Sequence, residues 1–382
     1  MGKIRYNINI FMSKFIIHGP AKLSGEIEVR GAKNLGLKII PAALLSSEKI
    51  TINNLPNIED INRSLELLED LGGMVKREKD KCEIEIKEIV KNELDPKFAN
   101  KLRASIMFVG PLLARLGEVK FPHPGGCVIG AGARPIDLFL EGFAAMGAEI
   151  KEENGFYHLK AKKLRGCEYF FTTISVTGTE CLMLAAVLAE GTTILRNSAM
   201  EPEIEALADY LNGQGAKIKG AGTPTITVEG VKEIKAGRFD IMPDRIETGT
   251  FAIMAAATDS EIKITKCNPL HIEALLSIFK KQNVNFKYGA DWLKIYPHTK
   301  IFGVGVNPRT TGIKAYNVKT HEYPGFPTDL QPPFTVLATQ ARGASVIHET
   351  IYDRRLLFTD MLMQMGADII MCDPHRVIVV PD

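Results

Sequence analysis

The sequence predicts an α/β protein built from repeated units, each with two helices and several short strands. An amphipathic helix followed by a tight turn and a strand recurs five times in the 382 residues, and a more apolar helix lies ahead of each copy. Apolar residues at helical spacing predict amphipathic helices, and short alternating runs predict strands. Self-similarity at a regular period indicates that one structural unit is repeated along the chain.

The amphipathic helices set the period. The copies read INRSLELLEDLGGMVKR, IDLFLEGFAAMGAEIKE, IEALADYLNGQGAKIKG, IEALLSIFKKQNVNFKY and TDMLMQMGADIIM. Successive turns are 75, 68, 68 and 83 residues apart, at Gly72, Gly147, Gly215, Asn283 and Gly366. We therefore expect each unit to run strand, apolar helix, strand, amphipathic helix and two strands.

The apolar helices predict how the units pack. Their sequences are NLGLKIIPAALLSS, ASIMFVGPLLARLG, ECLMLAAVLAEG, TGTFAIMAAAT and PPFTVLATQARG. A helix that is apolar almost all round is buried inside its domain. Sheets wrapped around such helices form a prism-like domain, and two equal domains of three units would need a sixth unit beyond the five found here.

Composition limits the functions that are open to the chain. The chain is longer than a domain with a single hydrophobic core usually is, so two domains are expected. A net charge of +2 is too small to attract nucleic acid or an anionic membrane over a long range. No apolar run reaches the roughly 20 residues that span a bilayer. The six cysteines lack C-x-x-C spacing, which indicates neither a zinc site nor a disulfide framework. Reduced, scattered cysteines predict a cytoplasmic protein.

A glycine-rich turn at 124–137 is the best candidate for chemistry. It reads PGGCVIGAGARPID and holds Cys127 a few residues from Arg134. Free cysteine usually packs as a small hydrophobe, but so many glycines make a poor core. Backbone N–H groups ahead of a helix, together with an arginine, can face an anion and tune a nearby thiol.

The repeats and five motifs resemble the UDP-N-acetylglucosamine enolpyruvyl transferases over 15–382. The motifs are the cysteine turn, GAKN at 31–34, LRAS at 102–105, PDRIETGT at 243–250 and FPTDLQ at 326–331. The resemblance implies two inside-out α/β prism domains that close over substrates. The first domain would be 34–242, and 1–33 would join 243–382 to build the second, with five of six units present.

The resemblance also implies a reaction that needs neither cofactor nor metal. Enolpyruvate would pass from phosphoenolpyruvate to the 3-hydroxyl of UDP-N-acetylglucosamine, the first committed step of peptidoglycan synthesis. Lys33 and Arg134 would bind the anionic donor, and Cys127 would protonate its methylene carbon or add covalently. Asn34 would hydrogen-bond the reacting groups. Asp329 would accept the proton of the sugar hydroxyl, although an aspartate after Pro-Thr is otherwise most often a helix N-cap.

Further residues match the substrate-binding positions of the family. Arg103 would orient the sugar nucleotide or close the cleft, and Ile351 would pack against the substrate. The nucleotide-binding stretches match Arg134, Pro135, Ile136, Asp137, Leu138, Ser175, Val176 and Thr177.

Three departures from the family pattern leave alternatives open. Gly132-Ala133 is an insertion in the cysteine turn, and Thr173 stands where some members have lysine. The sixth unit, where the family keeps Asp-Leu-Arg-Ala and a later arginine, is not found in the 382 residues. A non-catalytic paralogue or fragment that binds nucleotide sugar is therefore an alternative. A 3-phosphoshikimate 1-carboxyvinyltransferase-like enzyme is another, against which Cys127 and the FPTD motif argue.

Overall fold

The computed structural model describes residues 16–19, 21–123, 136–298 and 312–380, and the predicted order of elements recurs five times in them. In the second unit an isolated bridge between Glu93 and Lys120 replaces the first strand. The strands are β1 (Ser24–Glu28), β2 (Ile50–Asn53), β3 (Met74–Glu78), β4 (Lys81–Glu85), β5 (Glu118–Pro122), β6 (Glu149–Glu153), β7 (Phe156–Lys160), β8 (Glu168–Phe170), β9 (Thr192–Arg196), β10 (Lys217–Lys219), β11 (Thr225–Glu229), β12 (Arg238–Asp240), β13 (Glu261–Thr265), β14 (Phe286–Tyr288), β15 (Trp292–Ile295), β16 (Val318–Lys319), β17 (Ser345–His348), β18 (Asp368–Asp373) and β19 (Arg376–Val380).

Two kinds of helix alternate along the chain, as the sequence predicts. The helices are α1 (Lys33–Ala42), α2 (Glu59–Asp70), α3 (Pro96–Ala99), α4 (Val109–Leu116), α5 (Asp137–Ala145), α6 (Val176–Ala186), α7 (Pro202–Gly213), α8 (Arg245–Ala257), α9 (Glu273–Gln282), α10 (Gln331–Ala338) and α11 (Thr359–Gln364).

One predicted helix is divided. The run 104–117 forms a 3-10 helix over Arg103–Phe108 and then α4. Pro111 has no N–H to donate, and its ring crowds the carbonyl four residues earlier, which disfavours α-helical hydrogen bonds across the junction between the two segments. The predicted burial of this apolar run is confirmed, because Ile106 to Leu113 are buried.

The strands form five sheets, and two sheets exchange strands. Each sheet combines an antiparallel hairpin with a parallel first strand, except for the sheet β5-β7-β6, which is antiparallel throughout. Strand β1 lies parallel to β13 of the fourth unit, whereas β12 lies parallel to β2 of the first unit. The remaining two sheets have the orders β10-β11-β9-β8 and β16-β17-β19-β18. The chain therefore crosses between two groups of sheets twice.

The buried apolar side chains form two clusters. The first cluster draws its residues from Ala32 to Ile241 and includes α1, α4 and α6, whereas the second takes Val29 and residues from Ala252 to Val379. Helix α6 buries nine of its 11 residues, which confirms that an apolar helix lies inside its domain. The domain limits, 34–242 for the first domain and 1–33 with 243–382 for the second, stay a prediction that these clusters support.

Candidate active site

Lys33 and Asn34 open α1. The preceding Ala32 offers no side-chain cap, and the Lys33 backbone N–H instead donates to Oδ2 of Asp244 at 3.1 Å. The Lys33 ammonium lies 3.3 Å from Oδ2 of Asp60, and both side chains are nearly half exposed. The Asn34 carbonyl accepts a hydrogen bond from Nζ of Lys38 at 3.1 Å. The Lys33 side chain is therefore open to solvent, while its backbone is held.

The predicted nucleotide-binding stretches lie at the beginnings of two packed helices. Ser175 caps α6, its Oγ accepting from the N–H of Gly178 at 3.0 Å, and Val176 and Thr177 form the first turn. Helix N-termini of this kind favour anions. Helices α5 and α6 approach closely because Gly142 has no side chain, since a Cβ there would lie 2.2 Å from Cδ1 of Leu182.

The other helix of this pair, α5, begins with the predicted binding residues. Ile136 is buried, Asp137 is exposed at the first helical position, and the Leu138 carbonyl accepts from the Tyr169 hydroxyl at 3.1 Å. Burial raises the pKa of Tyr169 to about 12, so the hydroxyl remains a donor. The structure thus brings 136–138 and 175–177 to neighbouring helices. Arg103 begins the 3-10 helix ahead of α4 and is partly buried.

Asp329 lies in a 3-10 turn directly before α10. Neither this turn nor α10 has a side-chain cap, so the N-cap reading of Asp329 is wrong. Its Oδ1 instead accepts from Nη2 of Arg355 at 2.8 Å, and the aspartate side chain is 45% exposed. Nη1 of Arg355 donates to Oγ1 of Thr328 at 3.0 Å. The carboxylate is therefore held by a cation while one side stays open.

Glu349 links Asp329 to the predicted substrate contact at Ile351. This fully buried carboxylate accepts from the hydroxyls of Thr320 and Thr328 at 3.1 and 2.8 Å. Its Oε1 also accepts from the backbone N–H groups of Ile351 and Tyr352 at 2.8 and 3.1 Å. The turn that carries Asp329 and the loop that carries Ile351 are thus fixed to each other. Sequence reasoning missed Glu349 and Arg355, for which the charged run HETIYDRR after a strand was the available signal.

A buried ion pair joins α8 to the first cluster. Nε of Arg245 donates to both carboxylate oxygens of Glu203 in α7, at 3.0 and 3.1 Å. Burial is the largest influence on Arg245 and lowers its pKa, but the charges of Glu203, Glu201 and Asp329 outweigh it and raise the pKa above the usual value. Arg245 therefore stays charged and ties the first turn of α8 to α7.

The remaining predictions concern cysteines and residues outside the described ranges. Cys127, Arg134, Pro135 and the Gly132-Ala133 insertion lie outside them. Burial raises the pKa of Cys82 and Cys267 to about 11 and that of Cys181 to about 12, so these thiols are poor nucleophiles. In the part of the chain that is described, no group of histidine, cysteine and carboxylate side chains is arranged to hold a metal, and no helix is long and apolar enough to cross a membrane.

Comparisons with known proteins assign the fold. The sequence model of the EPSP synthase (3-phosphoshikimate 1-carboxyvinyltransferase) family matches residues 17–379. The chain belongs to this family of enolpyruvyl transferases. It is 45% identical over 358 residues to UDP-N-acetylglucosamine 1-carboxyvinyltransferase 1 of Carboxydothermus hydrogenoformans, a match that covers 94% of this chain and 82% of the relative.

Solved structures of enolpyruvyl transferases have the same fold. The enolpyruvyl transferase NikO from Streptomyces tendae superposes with a TM-score of 0.82 at 20% identity, covering 96% of this chain and 83% of that one. EPSP synthase from Acinetobacter baumannii gives a TM-score of 0.68 at 18% identity, covering 95% and 83%. These likenesses confirm the two-domain α/β prism built from repeated units.

Proposed function

We propose that the chain, together with a sixth repeat unit, transfers enolpyruvate from phosphoenolpyruvate to the 3-hydroxyl of UDP-N-acetylglucosamine in the cytoplasm, as a step of peptidoglycan synthesis. The observation that carries the proposal is the half-exposed carboxylate of Asp329, which Arg355 holds at 2.8 Å while one side stays open. Lys33 supplies an exposed cation at the start of α1, where Asp244 fixes its backbone. The 45% identical relative carries this activity in its name.

The roles follow from the chemistry of the two substrates. Lys33 and Arg134 bind the phosphate and carboxylate of the donor. Cys127 gives a proton to the methylene carbon while the sugar oxygen bonds to the adjacent carbon and Asp329 takes the hydroxyl proton. The carbon–oxygen bond to phosphate then breaks, and loss of a proton from the new methyl group restores the double bond. Asn34 hydrogen-bonds the reacting groups.

The environment of Asp329 supports its role as the base. Arg355 pairs with one carboxylate oxygen at 2.8 Å and orients the carboxylate, which is 45% exposed and so remains open to a substrate. Through Thr328 and Glu349, the same arginine is connected to the backbone of Ile351. A sugar that packs on Ile351 would therefore meet a carboxylate whose position is fixed relative to it.

Ser175 and its neighbours supply the binding surface for the nucleotide. The first turns of α5 and α6 are packed together, and the partly exposed Val176 and Thr177 follow the Ser175 cap. We assign the sugar nucleotide to 136–138 and 175–177, with Arg103 orienting it.

Two acceptor substrates distinguish this function from that of a 3-phosphoshikimate 1-carboxyvinyltransferase. The test uses an extended protein, defined as the 382 residues followed by a sixth unit taken from a full-length relative. We expect phosphate release from phosphoenolpyruvate with UDP-N-acetylglucosamine and none with shikimate 3-phosphate, and mass spectrometry should detect the enolpyruvyl sugar nucleotide. Phosphate release with shikimate 3-phosphate would favour the 3-phosphoshikimate 1-carboxyvinyltransferase activity. Phosphate release with neither acceptor would favour a non-catalytic protein.

A further inference from the structure

One carboxylate, that of Asp244, serves the N-termini of two helices. Its Oδ1 accepts from the N–H groups of Ile246 and Glu247 at 2.8 and 3.0 Å, which caps its own helix, α8. Its Oδ2 accepts from the N–H of Lys33 at 3.1 Å, at the beginning of α1 and 211 residues away in sequence. Both oxygens of the side chain are thus used by different helices.

Helix α1 needs this outside partner. The first N–H groups of a helix have no acceptor within the helix, and alanine at the N-cap cannot supply one. Ala32 occupies that position and makes no side-chain cap. The carboxylate of Asp244 replaces the missing cap for the first N–H, and its negative charge also suits the positive end of the helix dipole.

The two crossings of the chain hold Asp244 against Lys33. The Ala32 N–H donates to the Met242 carbonyl at 2.8 Å, and the Asp244 N–H donates to the Arg30 carbonyl at 2.9 Å. The Arg30 N–H in turn donates to Oε2 of Glu247 at 2.6 Å. These bonds fasten the first turn of α8 to the segment that leads into α1.

The ammonium group of Lys33 has no comparable anchor in Asp60. That contact is 3.3 Å long between two side chains that are 44% and 48% exposed. Exposed pairs of this kind contribute little to holding a side chain in place. The position from which the Lys33 side chain reaches into the site is therefore set at its backbone, where the charge-assisted bond to Asp244 is made.

We propose that Asp244 is a positioning residue for phosphoenolpyruvate binding, which acts by fixing the Lys33 backbone at the start of α1. The proposal rests on the proposed function, in which Lys33 binds the donor. In this proposal Asp244 acts through the Lys33 backbone and not through contact with a substrate. It couples the start of α8 to the start of α1, from which the lysine extends.

Asp244→Asn separates the two caps. Asparagine keeps one acceptor oxygen, which can still cap α8 and should preserve the fold, but its amide nitrogen cannot accept from Lys33. We expect the Lys33 amide of the 382-residue chain to exchange with solvent about tenfold faster, in line with the loss of one charge-assisted bond. In the extended protein, the KM for phosphoenolpyruvate should rise about tenfold while the KM for UDP-N-acetylglucosamine stays unchanged.

Asp95→Asn is the matched control. Asp95 caps α3 with its Oδ1, which accepts from the N–H of Lys97 at 2.8 Å, and it makes no bond to α1. Amide exchange at Lys33 and both KM values should be unaffected by this substitution. Circular dichroism of both variants should match that of the unaltered protein.

The outcomes are separable. Unchanged exchange at Lys33 in Asp244→Asn overturns the proposal, as does faster exchange with an unchanged KM for phosphoenolpyruvate. If Asp244→Asn fails to fold, amide exchange in the unaltered chain tests the contact instead. The Lys33 amide should exchange at least about tenfold more slowly than an unprotected amide, and exchange at the unprotected rate would overturn the proposal. If the extended protein binds no phosphoenolpyruvate at all, the proposed function fails, while the exchange experiment still tests the contact itself.

Discussion

The first and fifth units bury equivalent helices to different extents. Helix α2 of the first unit buries Ile61, Leu65 and Leu68 among others, whereas α11, at the same place in the fifth unit, buries only Thr359. Met361 is 62% exposed and Met365 is 82% exposed. Large exposed apolar side chains are concentrated in this part of the described chain, at Val336, Leu357, Met361, Met363, Met365, Ile370 and Met371.

Helix α11 is shorter than α2, with 6 residues against 12, and it also has fewer sheets around it. Three sheets surround the first cluster, and two sheets carry the second in the described ranges. Exposed large apolar side chains that cluster in one part of a fold indicate a face that another segment or protein covers. Repeat units cannot bury their apolar faces alone. We infer that α11 needs a further unit against it, so that stability differs between the two domains.

The largest effect on the free energy of unfolding is expected when a core side chain of the first domain is truncated. Leu184 in α6 is fully buried, so Leu184→Ala should lower the free energy of unfolding by about 2–5 kcal/mol. Met361→Ala should change it by less than about 0.5 kcal/mol in the 382-residue chain, because surface side chains contribute little. Urea denaturation followed by circular dichroism measures both values. Equal losses would mean that α11 is covered as completely as α6.

Removing the candidate base should affect turnover without affecting the fold. Asp329→Asn in the extended protein should lower kcat about 100-fold or more, because a general base contributes at least this much. Its melting temperature should stay close to that of the unaltered protein, since Asp329 caps no helix.

Asp373→Asn controls for the loss of a paired carboxylate in the same domain. Asp373 lies 2.6 Å from Nη2 of Arg376, and that arginine holds the pKa of Asp373 below its usual range. Asp329 is likewise paired with an arginine, Arg355, at 2.8 Å. This control should leave kcat unchanged. Near-normal turnover in Asp329→Asn would remove the base from the mechanism.

A smaller, pH-dependent effect on stability is expected in the first domain. Glu180 of α6 is fully buried and lies 3.0 Å from Nζ of Lys38. Burial raises the pKa of Glu180 from 4.5 to about 7, although Lys38 partly opposes the change. The protonated form is therefore favoured in the folded state. Stability that is present below pH 4.5 should be lost as the pH rises through about 7.

Amide exchange can assign this pH effect to one domain. The free energy of opening measured at α6 should fall by up to about 2 kcal/mol between about pH 5 and about pH 7. The value measured at α10 should not follow the same curve, because Glu180 does not belong to the second cluster. A parallel decrease at both helices would show that the two domains open together.

The repeat was predictable because its signals are local. Periodic apolar residues and the turn at Gly72 or Gly147 lie within single helices and their connections, so five units could be found without knowing their contacts. The division of 104–117 was missed because the effect of Pro111 on the preceding turn was outweighed by the apolar pattern. Buried charges such as Glu180 also escaped notice, since one acid in ECLMLAA hardly changes the character of the helix.

The contacts around the candidate site could not be predicted from spacing. Arg355 reaches Asp329 across 26 residues, and Asp244 reaches Lys33 across 211. Such contacts depend on how the units fold against each other. The resemblance identified Lys33, Asn34, Asp329 and Ile351 as candidates, but only the structure supplied Glu349, Arg355 and Asp244 as the residues that hold them. The roles of Cys127 and Arg134 stay predictions.

The most direct test of the account is a coupled phosphate-release assay with phosphoenolpyruvate and UDP-N-acetylglucosamine, run on the 382-residue chain and on the extended protein. The account predicts no measurable release by the 382-residue chain and clear turnover once a sixth unit covers α11 and supplies the missing cations. Loss of charge-assisted contacts to a transferring group costs several kcal/mol, enough to abolish detectable turnover. Equal rates for the two proteins would contradict the account, because five units would then be sufficient for catalysis.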